Sequence, residues 1–380
     1  EALIKLDPNN LDYLFTLADL ARVQKDWDSS IEYYLEGYRA NSLAINGLEQ
    51  ALQISLTTNN FEKAEEICEL FLEDDPQNIK IIETLRDLTI FSKKYDIALD
   101  MVNRIEKIQG TSAELSIQKS ALHEELNQNN EALTVMYTAL ENDSINIMVL
   151  HRLVSLLLDQ EKNEKATLIN QKIIKHFPDD SRGYINDAVI AMSNQKPEEA
   201  ILALSAHVGK FPQDFTVQYL LGTAYYQFKD YGNAEIYLSQ ALTIFPDSRN
   251  TKHNLAMIYD TTKEWVKSDK LYMDLIATDS TDAQAFNNYA YSLIERGEDV
   301  EFSLELAKQA IRLVPDSAPY LDTIGWIYFK MDQIDEAIKY IQNSLNIDSE
   351  NSTIQDHLDY ILKIKAELDT HKDPQVEKRD

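Results

Sequence analysis

A few residues in this sequence have types that could do chemistry, and each fails on spacing. His123-Glu124-Glu125-Leu126-Asn127 opens like a zinc-binding helix, but the place one turn on, where a second histidine must share the face, holds Asn127. The other histidines, His151, His176, His207, His253, His357 and His371, are too dispersed to pair by sequence alone. Gly222, Gly232, Gly297 and Gly325 are isolated, so no phosphate-cradling loop is present, and no Gly-x-Ser-x-Gly elbow occurs. The single cysteine, Cys68, excludes an intramolecular disulfide and a cysteine-based zinc site. It falls where neighbouring segments carry apolar residues such as Tyr34 and Leu238, which predicts a buried, inert thiol. Asp and Glu number 64 against 36 Lys and Arg, a net charge of −28. Carboxylates in such abundance are expected on solvated helix faces, since acid–base work needs a pocket that shifts their pKa values. The reading is therefore of no enzyme, no metal and no cofactor. The same charge argues against nucleic acid and against anionic membrane surfaces, both of which call for clustered Lys and Arg.

The elements that would position any functional side chain follow from a period. Small residues recur at Ser30, Ala64, Ala98, Ala132, Ala166, Ala200, Ala234, Ser268, Ser303 and Ala337, at intervals of 34 with a single step of 35. Twelve residues after each stands a helix stop: Ser42, Pro76, Gly110, Ser144, Pro178, Pro212, Pro246, Ser280, Pro315 and Ser349. Between these markers the apolar residues keep helical spacing, as in Leu221, Ala224, Tyr225 and Phe228, then Tyr231, Ala234, Leu238 and Ala241. Each unit thus reads as two tightly joined helices of about three to four turns. The small residue marks their crossing, where a larger side chain would push the backbones apart. One such pair cannot bury its apolar face alone, so neighbours must stack. No run is apolar and long enough to span a bilayer.

Unit 215–248 carries a resemblance. Leu221-Gly222, Tyr225, Tyr231, Ala234, Ala241 and Pro246 are similar to the tetratricopeptide repeat pattern, with Gln218 in place of the usual tryptophan. The resemblance implies an all-α, right-handed superhelical solenoid of about ten stacked helix-turn-helix repeats. The units fall at 11–44, 45–78, 79–112, 113–146, 147–180, 181–214, 215–248, 249–282, 283–317 and 318–351. Residues 1–10 read as the end of a preceding, truncated repeat, so the protein is expected to continue upstream. Residues 352–368 read as a capping helix and 369–380 as a charged, loose tail. The middle units depart from the pattern, with Arg86, Lys119, Asn170 and Asp187 at small or apolar positions and Asn129, Asn163 and Pro197 replacing an aromatic. Weaker packing is expected there, as hinge, partner site or simple drift. The last two units, with an Asn-x-Ala-Tyr helix and then Leu321-Asp322-Thr323-Ile324-Gly325-Trp326, resemble closing repeats of bacterial proteins of this family, some of them in the cell envelope.

By the same resemblance, the first helix of each unit lines a concave wall. Its sixth position is mostly polar and includes Asn186, Asn254 and Asn288, which match an asparagine row that grips peptide backbones in some members of the family. An amide carries donor and acceptor together, which suits an extended chain of any sequence; the bland alternative is amides facing water or capping nearby backbone. Toward the C-terminus the wall adds Tyr219, Tyr226, His253, Asn287, Tyr291, Trp326 and Phe329, aromatic anchors of the sort that dominate binding, or else packing between units. Toward the N-terminus it turns acidic, with Glu49, Glu83 and Asp87, the wrong sign for the family's carboxylate-binding clamp.

The expected function is a non-enzymatic scaffold that holds a peptide or helical segment of a partner protein in its groove, with a lean to a bacterial envelope assembly on the periplasmic side. The alternative is the non-catalytic half of a larger enzyme or polysaccharide-secretion machine. Homo-oligomerisation through the exposed end repeat is a third reading.

Overall fold

The computed structural model describes residue 7 and residues 9–372, with only the backbone described for 369–372. Residues 1–6 and 8 of the expected preceding repeat, and 373–380 of the expected tail, lie outside the described residues. Every regular element among the described residues is helical. The chain divides into two compact units, Glu1–Asn186 and Asp187–Asp380.

The first unit contains α1 (Leu11–Val23), α2 (Trp27–Ala40), α3 (Ile45–Thr57), α4 (Phe61–Asp74), α5 (Ile79–Phe91), α6 (Tyr95–Gln109), α7 (Ala113–Glu125), α8 (Asn129–Asn142), α9 (Ile147–Asp159) and α10 (Asn163–His176). Helix α11 (Arg182–Ser193) carries the boundary. The second unit continues with α12 (Pro197–Ser205), a 3-10 turn at Val208–Lys210, α13 (Phe215–Gln227), α14 (Tyr231–Ile244), α15 (Arg249–Thr261), α16 (Trp265–Thr278), α17 (Ala283–Glu295), α18 (Val300–Leu313), α19 (Ala318–Lys330), α20 (Ile334–Ile347) and α21 (Ser352–Lys372). Helix α21 continues past residue 368 to Lys372, since the chain offers no breaker before Pro374.

Within each unit consecutive helices pair as antiparallel hairpins, such as α1 with α2 and α13 with α14, and second helices pack on the first helix of the next hairpin: α2 on α3 and α4 on α5 in the first unit, α14 on α15 and α18 on α19 in the second. The crossing residues Ser30, Ala64, Ala98, Ala132, Ala166, Ala200, Ala234, Ser268, Ser303 and Ala337 are all 0% exposed. Where serine replaces alanine the hydroxyl stays satisfied: Ser30 Oγ donates to the Ala18 carbonyl at 2.8 Å and Ser303 Oγ to the Ala290 carbonyl at 2.7 Å. On the facing helix the crossing is as tight. A Cβ added at Gly222 would stand 2.6 Å from Leu238 Cγ and 2.9 Å from its backbone nitrogen.

Starts and stops are chemical. Asn78, Asn146, Asp214 and Asp282 cap their helices by accepting first-turn N–H groups. The turn inside each hairpin places a residue with a left-handed backbone at the same point, Lys25, Asn59, Lys93, Asn127, Glu161, Gln195, Lys229, Lys263, Gly297 and Asp332, and the α17–α18 turn adds a second, Asp299. Only Gly297 adopts this without steric penalty.

Regularity lapses in α12, which has 9 residues where its counterpart α14 has 14. Val208 and Gly209 are poor helix formers, and a Cβ at Gly209 would meet nothing within 4 Å, so packing does not hold the helix together there. The polar residues at apolar positions find partners. Lys119 Nζ lies 2.7 Å from Glu106, Arg86 bonds Asp87 at 2.8 Å and Gln118 at 3.3 Å, and buried Asn170 donates to the Gly183 carbonyl at 2.7 Å.

Two stability outcomes follow from these contacts. Gly222→Ala is expected to cost about 1–3 kcal/mol in urea unfolding followed by circular dichroism, because the neighbour to be displaced is partly backbone. Lys229→Gly is expected to raise stability by about 0.5–1 kcal/mol in the same assay, by relieving the left-handed conformation.

Candidate functional site

In the second unit, first helices approach first helices: α13 meets α15, α17 meets α19, and α19 meets α21. They form the inner side of this stack. On that side Tyr226 from α13, Asp260 and Thr261 from α15, and Asn287, Asn288 and Tyr291 from α17 line a pocket of about 230 Å³, with Met257 and the Tyr272 ring completing it. Four of the expected wall residues, Tyr226, Asn287, Asn288 and Tyr291, therefore converge here, drawn from alternate helices of the chain.

The pocket is rich in acceptors. Asp260 Oδ2 accepts from Tyr272 Oη at 2.8 Å and Asp260 Oδ1 from Ser292 Oγ at 2.8 Å, which fixes the carboxylate between two helices. Asn287 Nδ2 donates to Asn288 Oδ1 at 3.3 Å, while Asn287 Oδ1 is buried with no hydrogen-bond partner. Burial, followed by the nearby Asp260 charge, pushes the Tyr272 phenol up. Burial raises the Tyr291 phenol as well, and the charges of Glu295 and Asp322 add to it. The surroundings are thus electronegative. Asp260 and Tyr272 were not among the residues selected from sequence, although Asp260 holds the same place in its unit as Tyr226, twelve residues into it, and that signal was available.

The remaining expected residues have other environments. Asn254 is half-buried and places Nδ2 3.4 Å from both Tyr219 Oη and Thr223 Oγ1, while the Tyr219 ring stacks on Phe215 at 5.7 Å. His253 is 3% exposed, with Nε2 2.9 Å from Asp282 Oδ2, so it presents little to a ligand. Burial works to raise the Asp282 carboxyl, yet Arg249 Nε at 2.7 Å, the Ala285 N–H and His253 hold it below the usual carboxylate range. Asn186, in the first unit, is 4% exposed and donates to Asn170 Oδ1 at 2.9 Å. Its amide is spent on a buried pair rather than offered to a groove.

Trp326 and Phe329 pack the last helix in place. The indole ring lies 4.5 Å from the His357 ring and 5.2 Å from Phe329, its Nε1 donates to Glu295 at 2.7 Å, and Phe329 meets Tyr360 edge-on at 5.6 Å. His357 Nδ1 sits 3.0 Å from both Asp322 oxygens.

The residues tested for catalysis are engaged elsewhere. Cys68 is 0% exposed, and burial together with Glu65 and Glu69 pushes its thiol up to about 12, against reactivity as a thiolate. His123 Nδ1 pairs with Gln128 at 2.7 Å and Glu124 with Arg152. Among the described residues no three His, Cys, Asp or Glu side chains group as a metal site, and no helix is long and apolar enough to cross a membrane.

Comparison with known sequences agrees with the helix hairpins. The family described as tetratricopeptide repeat matches at residues 187–249 and again at 318–351. The chain carries tetratricopeptide repeats. It is similar to the type IV pilus assembly protein PilF of Pseudomonas aeruginosa, 29% identical over 136 residues that cover 35% of this chain and 54% of that protein. It is also similar to a TPR repeat-containing protein of the same organism, 25% identical over 108 residues, 28% of this chain and 18% of the other. The repeat protein here therefore spans about half or less of the length of these relatives. The crystal structure of the APC/C hetero-tetramer Cut9-Hcn1 shares the fold, with a TM-score of 0.51 at 12% identity over 96% of this chain and 92% of that one.

A pH dependence is built into the α19–α21 contact. The Asp322 carboxylate raises the His357 pKa above its ordinary value, with burial opposing and the charges of Glu295 and Asp356 assisting. A raised folded-state pKa gives stabilisation that is complete below the unfolded pKa of about 6.5 and disappears as pH climbs through the folded value. Hydrogen-exchange protection of the α21 amides, corrected for intrinsic rates, is expected to fall from pH 6 to pH 8, and His357→Gln to flatten that change.

Proposed function

We propose that this repeat protein is a non-enzymatic scaffold whose inner wall holds an extended or helical segment of a partner protein. The observation that carries the reading is the pocket on α13, α15 and α17, where Tyr226, Asn287, Asn288 and Tyr291 meet across three successive hairpins. Side-chain amides meet the donors and acceptors of a peptide backbone, and the half-exposed phenols supply contact area at low entropic cost. Many shallow contacts would carry the affinity, with the larger losses on truncation at aromatic anchors.

The similarity to a pilus assembly protein supports a place in a bacterial envelope assembly. The small share of the curated relatives that this chain spans supports a second reading, in which the repeats are the non-catalytic part of a larger enzyme or secretion machine. Both readings keep the wall as the working surface.

Panning a random peptide phage library against the protein tests the wall directly. Enriched peptides are expected to lose roughly tenfold in affinity, about 1.4 kcal/mol, on the Asn254→Ala/Asn288→Ala double variant with its far-UV circular dichroism intact. Peptides that bind the double variant as tightly as the parent would remove these amides from the function.

A further inference from the structure

The wall pocket has a chemistry more specific than peptide backbone. Its polar lining offers as acceptors the Asp260 carboxylate, the unbonded Asn287 Oδ1 in a residue 7% exposed, and the Thr261 hydroxyl, beside the Asn288 amide and the Tyr226 and Tyr291 hydroxyls. No Lys, Arg or His lines it. Asp260 has an ion-pair partner nowhere among the described residues, although it is half-buried and fixed by two hydroxyl donors. An apolar side chain entering here would further desolvate the carboxylate, which is costly, and would leave Asn287 Oδ1 as unpaired as before. An acidic side chain would meet Asp260 with the wrong sign, on a chain whose net charge is already −28.

A planar cation satisfies all of these conditions together. A guanidinium presents five N–H donors in a fixed fork, is weakly hydrated, and is attracted to aromatic faces, which Tyr226 and Tyr291 can supply. An ammonium is a compact, strongly hydrated point charge that uses separated acceptors less well. We infer that the pocket between α13, α15 and α17 seats an arginine side chain of the partner segment, with Asp260 as its counter-ion and Asn287 Oδ1 as a second acceptor. The inference rests on the peptide-binding reading above and adds the partner's chemistry to it.

The probes are a short, blocked Gly-Ser peptide with one central arginine and its citrulline and lysine counterparts, titrated calorimetrically into the whole chain at physiological ionic strength, where diffuse attraction to the acidic surface is screened. The arginine peptide is expected to bind roughly tenfold tighter than the citrulline peptide, and tighter than the lysine one. Asp260→Asn should abolish the arginine preference, whereas Asp247→Asn, which removes the same charge from an exposed turn outside the pocket, should preserve it. Because Asp260 also accepts from Tyr272 and Ser292, Tyr291→Ala serves as the variant least able to disturb the fold, its side chain being 40% exposed, and it should weaken the arginine peptide selectively. Equal affinity for arginine and citrulline, lysine binding as tightly as arginine, equal effects of the two Asp→Asn changes, or no measurable binding of the arginine peptide would each overturn the assignment. Library-derived peptides that still depend on Asn254 and Asn288 would in that event leave the scaffold reading standing, so the two fail separately.

Discussion

One steric constraint organises this protein: at each hairpin crossing there is room for a methyl or hydroxymethyl group and no more. The ten residues of that series are completely buried, and opposite one of them Gly222 lies against the backbone of Leu238. Close approach at the crossing lets the flanking apolar residues interdigitate at crystal-like density, whereas a void or a bulky group there would separate both helices along several turns. It also sets the order of the stack. With the hairpin closed at that point, each second helix meets the next first helix, and successive first helices come near one another as α13 and α15 do. The inner wall is a consequence of packing, and its side chains were available for other uses.

The all-helical hairpin architecture was legible because the crossing constraint leaves a periodic trace in residue size, and size is what a sequence displays. Turn geometry was less legible. Nine of the ten left-handed residues at the shared turn position are Lys, Asn, Glu, Gln or Asp, and only Gly297 announces itself. Helix α12 was read at full length, since counting periods does not register that Val208 and Gly209 have poor helix propensity or that Gly209 faces open space.

The candidate site divides along a similar line. A period tells which face of a helix a residue occupies, and that sufficed for Tyr226, Asn287, Asn288 and Tyr291. It does not tell whether the next hairpin covers that face. His253 shares its place in the unit with Asn287, yet the capping carboxylate of α17, Asp282, closes over it. Asn186 shares its place with Asn254 and Asn288, yet Asn170, standing where an apolar residue is usual, draws the amide inward. Trp326 and Phe329 lie on the wall side, but α21 lies over them. In each case a single neighbour, distant in sequence by about half a unit or more, decides the outcome.

The treatment of acidic residues along the inner side of the second unit separates structural from available charge. Asp282 is wholly buried, neutralised by Arg249 and hydrogen-bonded to His253; Asp322 is nearly buried and meets His357 across the α19–α21 contact. Both follow the rule that a carboxylate taken out of water needs a cation, because desolvation otherwise exceeds what hydrogen bonds return. Asp260 departs from it. Two hydroxyls orient its oxygens but bring no positive charge, and the half-buried residue lines the pocket. The residues that pair Asp282 and Asp322 lock helices together, and they stabilise the stack at the expense of being occupied. Asp260, oriented by hydroxyls alone, stands beside two phenols and an unbonded amide oxygen, so the arginine seat inferred for this pocket would bring it the cation that Asp282 and Asp322 find within the fold.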